Sequence, residues 1–116
     1  MKTRYDPRHR QRIEVVKELF AHSFTPQKQR SERVQTIIKH LPAIDTHIAK
    51  AAPQWPVDKI AKIDLAMLRL SVYELLIEKK EPDKVILDEA VEIAKEFGHD
   101  TSPGFINGVL GSLLRP

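Results

Sequence analysis

Four arginines crowd the front of this chain, Arg4, Arg8, Arg10 and Arg12, with Tyr5 among them. A guanidinium forks two hydrogen bonds onto phosphate oxygens, and a phenol ring stacks on a nucleobase, so the set suits single-stranded nucleic acid. The arginines fall at or before the start of the first predicted helix, where the helix dipole favours acids. Cations placed against that preference need another reason, and phosphate supplies one. The alternative is a solvated basic tail with no ligand. Arg8 and Arg12 are four apart and share a helix face. Arg69 is a different case, a lone charge inside the apolar run MLRLSVYELL. It must be paired or reach solvent. The spacing favours an ion pair with Glu74 or with an acid on another helix over a binding role.

Other chemistry finds little support. His9, His22, His40, His47 and His99 are scattered, and no HExxH pattern occurs. They read as solvated or capping histidines, so no metal is expected. There is no phosphate-cradling glycine loop, and Gly104, Gly108 and Gly111 fall within a helix. Asp88 and Glu92 lie four apart on an exposed helix face and read as solubilising charges, not as a general acid and base. Neither catalysis nor a cofactor is expected.

The elements that position these residues are all helical, since no segment alternates apolar and polar as a half-buried strand does. Asp6-Pro7, Thr25-Pro26 and Ser102-Pro103 each pair an N-cap acceptor with a first-turn proline. Asp83 is placed to cap a helix starting near Lys84, and Gly98 to end it in a left-handed conformation. The first helix spans about residues 7–24. The second runs from Pro26, or more safely Glu32, to Leu41. Pro42 kinks or breaks the helical stretch that would otherwise continue to about Ala52. A helix carrying two apolar stripes, one of Ile60, Ile63, Met67 and Leu70 and one of Leu65, Leu68, Val72, Leu75 and Leu76, ends near Glu78 and belongs at the centre of the fold. The fifth and sixth helices have apolar faces through Ile86–Phe97 and Phe105–Leu114.

The 116 residues suit a single domain, and the absence of cysteine rules out disulfides and fits a cytoplasmic protein. No apolar run is long enough to cross a membrane, and the polar amino terminus argues against a secretory signal. Net charge is +3, unevenly spread. Residues 1–33 carry nine Lys/Arg against four acids, and the remainder is mildly acidic, which points to a polyanionic partner.

Three stretches carry a family resemblance: Arg12–Phe20, an arginine followed by apolar positions and a Leu-aromatic close; Ile44-Asp45, then Trp55 and DLAMLRLSVYELL; and KVILDEAVEIAKEF with Phe105-Ile106-Asn107-Gly108-Val109-Leu110. They resemble the NusB family of bacterial transcription antitermination factors. The resemblance covers nearly all of residues 8–114 and is most specific over 63–114. It implies an all-α bundle of two packed three-helix subbundles. It also implies pairing with the ribosomal protein NusE on boxA-type single-stranded RNA of ribosomal RNA leaders, in the transcription elongation complex. By resemblance, Arg8, Arg10 and Arg12 belong to an RNA-binding arm, Phe20, Lys84 and Phe105 fall on RNA-proximal positions, and Asp58 and Asp64 on positions associated with NusE. The segment between Phe24 and Val34 is several turns shorter than in typical members, so the second family helix is largely missing and apolar surface is left uncovered. That shortening supports a second reading: a protein-interaction or homodimerisation domain without specific RNA binding.

Overall fold

The computed structural model describes residues 6–26 and 31–115, and these form six α-helices with no strand among them. Helix α1 spans Pro7–Phe24. The Asp6 side chain accepts from the Arg8 amide, and Pro7 occupies the first turn, so the expected cap is in place. The buried face of α1 comprises His9, Arg12, Val15, Val16 and Leu19, at helical spacing. Thr25 closes α1 and Pro26 lies beyond it, so this pair ends one helix and does not start the next.

Helix α2 (Glu32–Lys39) is capped by Ser31, whose hydroxyl accepts from the Val34 amide. The chain breaks at His40, and α3 (Leu41–Ala51) begins with Pro42 in its first turn, where a missing N–H costs nothing. The helical stretch is therefore broken at His40, just ahead of Pro42. A connector with a single 3-10 turn (Val57–Lys59) leads to α4 (Lys62–Val72). The helix then widens into a π-turn over Tyr73–Glu78 and stops at Lys79, whose φ of 55° is left-handed. That conformation opposes the Cβ of a lysine, and the Lys79 amide secures it by donating to the Glu74 carbonyl at 2.9 Å.

From Asp64 to Leu75 every residue except Arg69 is buried. This is why two apolar stripes occur: α4 packs against α1, α3, α5 and α6 at once. Leu68 is fully enclosed, with Ile37, Ile44, Ile48, Ile86, Ile106 and Leu110 also in the core. Arg69 reaches Asp45 on α3 with two hydrogen bonds, 3.0 and 2.8 Å, so its partner is an acid on another helix and not Glu74.

Helix α5 spans Asp83–Phe97 and α6 spans Ser102–Leu114. Three sequence expectations change here. Pro82, not Asp83, is the flanking residue of α5, and Asp83 forms its first turn. Gly98 has φ −88° and ψ −176°, extended and not left-handed. A Cβ there would lie 2.5 Å from Ser102 Cβ and 2.8 Å from the Ala94 carbonyl, so glycine is required by closeness. Ser102 is not the cap of α6 but its first residue. Its hydroxyl accepts from the His99 amide and donates to Asp64 Oδ1 at 2.6 Å, tying the α5–α6 turn to α4.

Candidate nucleic-acid interface

Helix α1 presents different arginines to different surroundings. Arg8 is 63% exposed in its side chain and makes only long ion pairs, 3.6 Å to Asp6 and 3.5 Å to Glu81. Arg10 is exposed and has no ion-pair partner among the described residues. Arg12 turns inward and is 5% exposed. Its Nε–H and Nη2–H donate to the two oxygens of Glu74, both at 2.8 Å, and Nη1–H donates to Glu89 at 3.2 Å. The fork on Glu74 outweighs burial and raises the Arg12 pKa, so the guanidinium is permanently charged. It fastens α1 to the π-turn and to α5 instead of facing solvent. Arg4 and Tyr5 lie outside the described residues.

His9 joins the same network, against the expectation of a solvated or capping histidine. It is 5% exposed, with Nδ1 at 3.0 Å from Glu89 and Nε2 at 2.6 Å from Glu96. A ring donating from both nitrogens is the imidazolium. Burial alone would lower its pKa, but the two carboxylates prevail and raise it above the ordinary histidine value. Arg33 completes the set, 2.9 Å from Glu78 and 3.4 Å from Glu74. The signal for this network was present in the sequence. His9 and Arg12 continue the spacing of Val16 and Leu19 along α1, and Glu89 falls between Ile86 and Ile93 on the apolar stripe of α5.

The expected contact residues separate into two groups. Arg8 lies beside the start of α5: its pair with Glu81 precedes Lys84, and Asp88, 3.8 Å from the Lys84 ammonium, lines the same cleft as Arg8. Lys84 is 86% exposed. Arg8, Arg10 and Lys84 are thus exposed cations of this end, where Asp6, Glu81 and Asp88 stand beside them. Phe20 is twelve residues along α1 from Arg8, roughly 18 Å at the helical rise. It is half-buried, edge-on to Phe24 with centroids 4.9 Å apart. Phe105, half-buried at the start of α6, meets Trp55 edge-on at 6.5 Å. The cavities beside Phe20 and Phe105 share Ala61, which makes this an aromatic end.

The two acids also diverge. Asp58 is exposed on the 3-10 turn. Asp64 is 8% exposed, its carboxylate engaged by Ser102, and it adjoins the Phe105 cavity. Among the described residues no group of three or more His, Asp or Glu side chains is arranged to hold a metal ion. Nor is any helix among them long and apolar enough to cross a membrane.

Comparison with known proteins adds the context. The model of the NusB family matches residues 9–115. A protein of Chloroflexus aggregans named transcription antitermination protein NusB is 47% identical over 78 residues, covering 66% of this chain and 52% of its own length. The chain thus spans about half the length of several curated relatives it matches. A namesake from Thermotoga sp. strain RQ2 is 36% identical over 129 aligned positions, covering 94% of this chain and 91% of its own. The solved structure of T. maritima NusB superposes with a TM-score of 0.82 at 33% identity, covering 97% of this chain and 92% of that one.

Proposed function

The chain belongs to the NusB family, and from that premise we propose that it is an RNA-binding transcription antitermination factor, not an enzyme, which pairs with the ribosomal protein NusE on boxA-type RNA of ribosomal RNA leaders. A role in the transcription elongation complex would place it in the cytoplasm. The observation that carries the reading is a set of three exposed cations, Arg8, Arg10 and Lys84, at the adjoining starts of α1 and α5. The ion pairs of Arg8 and Lys84 are long and solvated, worth little to stability, and a phosphate displaces such partners at small cost. Cations held by rigid helix ends but not consumed by the fold fit an RNA backbone.

In this reading Phe20 and Phe105 offer ring surface to bases, and Asp58 offers an exposed carboxylate to the protein partner. Asp64 acts through Ser102, fixing the start of α6 and with it Phe105. Arg12 holds α1 in register and leaves phosphate contact to Arg8 and Arg10.

Fluorescence anisotropy with a labelled boxA-type RNA, with and without NusE, tests this across a salt series. Each phosphate contact in a single-strand complex contributes about 0.7 to the slope of log affinity against log salt. The Arg8→Ala/Arg10→Ala variant is therefore expected to lose about 1.4 of slope at unchanged fold stability. Affinity indifferent to salt, or to this double substitution, would remove the reading.

A further inference from the structure

Between the exposed Arg8 and Arg10 stands a residue that faces the other way. His9 is buried, and successive residues of an α-helix turn through about 100°, so fixing His9 on the inside sends its two neighbours out on either side. Two contacts fix it. Nδ1 lies 3.0 Å from Glu89 Oε1 and Nε2 lies 2.6 Å from Glu96 Oε1, both carboxylates belonging to α5. Helix α1 packs chiefly on α4, and its front turns are tied to α5 by side chains: His9 to Glu89 and Glu96, and Arg12 to Glu89 at the longer distance of 3.2 Å. The two shorter Arg12 bonds go to Glu74 instead. We propose that His9 is a positioning residue for the RNA contacts: its doubly anchored imidazolium holds the start of α1 against α5, and the arginines beside it grip phosphate fully only while the ring keeps its proton. The inference rests on the RNA-binding reading above.

The chemistry of the ring makes the anchor depend on a proton. An imidazolium donates from both nitrogens, whereas a neutral imidazole donates from one and presents a lone pair at the other. Set against a carboxylate oxygen, that lone pair repels, and one of the two ties must open. The surroundings offer no substitute. Glu89 and Glu96 face the ring from α5, and Arg12 on its own helix shares Glu89. Arg12 is already forked onto Glu74 of the π-turn, which Arg33 of α2 also meets at 3.4 Å. Asp6, Glu81 and Asp88 line the same cleft as Arg8, His9, Arg12 and Glu89. Loss of the proton makes that cleft more negative beside Arg8, so weaker attraction for phosphate adds to the loosened helix start. Burial opposes the charge on His9, but the two carboxylates outweigh it and hold the proton above the ordinary histidine range. The anchor is therefore complete at mildly acid pH and is lost as pH rises through the raised value. The Glu96 side chain is 37% exposed, so solvent reaches that edge of the ring and the proton can leave without unfolding. By linkage, RNA must raise the proton affinity of His9 by the factor that the proton raises RNA affinity.

The test measures anisotropy of a labelled boxA-type RNA on the full chain from about pH 6 to 9, with helicity followed at each pH. Wild-type affinity is expected to fall about fivefold or more across the range, and the slope of log affinity against log salt to shrink by about 0.7 for each arginine released. His9→Arg, charged throughout, should stay near the acid level, and it also reports any titration of the RNA itself. His9→Gln should stay at the weak alkaline level at every pH. Glu96→Gln, at the half-exposed partner, removes one carboxylate and should move the midpoint of the RNA profile to lower pH with the fold intact. Proton NMR of the His9 ring should show its titration moving to higher pH when RNA is bound, a change that a purely structural role would not produce. A wild-type profile parallel to that of His9→Arg overturns the proposal. So does an unmoved midpoint in Glu96→Gln, or a fall that persists in His9→Gln and so belongs to another group. If those results accompany a loss of salt slope in Arg8→Ala/Arg10→Ala, the RNA-binding reading stands and the role of His9 alone is removed. Absence of RNA binding at every pH removes both.

Discussion

His9 shows how much one buried ring can determine. Its two nitrogens are satisfied by Glu89 and Glu96 only in the charged form, so folding raises its affinity for a proton above the ordinary value of 6.5. The groups facing it are Glu89 and Glu96 from α5, with Arg12 on its own helix sharing Glu89. A group whose folded pKa is raised stabilises the native state fully below the unfolded value, and that contribution is lost as pH climbs through the folded value. Wild-type protein should therefore lose stability relative to His9→Gln as the pH of urea unfolding is taken from about 6 to 9. A difference that stays constant or widens over that range would show that the ring is neutral in the folded protein. Arg12, one turn further along, shares Glu89 but cannot deprotonate. Among the described residues, the network thus sets one fixed and one titrating cation against the same carboxylate.

At the scale of elements, the turn between α5 and α6 carries a tight steric constraint. Gly98 leaves no room for a Cβ against Ser102 and Ala94, and Ser102 in turn binds Asp64 on α4. Gly98→Ala should force that turn apart and cost about 1–3 kcal/mol in urea unfolding, the usual penalty of overpacking. Because Ser102 and Phe105 share the first turn of α6, the same variant should also disturb the aromatic end. A cost below about 0.5 kcal/mol would mean the turn relaxes freely. This turn also marks where sequence reasoning stops. The existence and order of the helices were legible from apolar period and proline position, and α4 was recognisable as central from its two stripes. A Ser-Pro pair reads as a cap whether or not a carboxylate from a distant helix takes the hydroxyl, and a glycine after a helix reads as left-handed whether or not the true reason is crowding. Both outcomes depend on neighbours 38 residues away in the case of Asp64, and on a close approach that spacing does not encode. The inward turn of Arg12 is intermediate: helical spacing places it on the buried face, but its residue type suggested phosphate.

Across the whole molecule, the candidate RNA contacts fall at opposite ends of α1, with Arg8, Arg10 and Lys84 at one and the rings of Phe20 and Phe105 at the other, where Lys17, Lys59 and Lys62 also stand. That separation allows the two kinds of contact to be told apart by salt. Phosphate contacts release counterions and steepen the dependence of affinity on salt, whereas stacking on a ring does not. Lys84→Ala should therefore weaken boxA-type RNA binding and reduce the slope of log affinity against log salt by about 0.7. Phe105→Ala should weaken binding by about 1–3 kcal/mol if a base stacks there, and leave the slope unaltered. Both rings also pack against the core, Phe105 beside Trp55 and Phe20 beside Phe24, so the urea midpoint of each alanine variant is measured alongside. Phe20→Tyr is gentler than Phe20→Ala, since it keeps the ring in place and should leave both fold and slope as they are. Arg12→Lys provides the contrast: it retains the charge but cannot fork onto Glu74, so it should lower stability and change RNA affinity only in proportion to the unfolded fraction. If Lys84→Ala and Phe105→Ala instead change slope and affinity in the same ratio, charge and stacking are not divided along α1, and the RNA takes a different path across the surface.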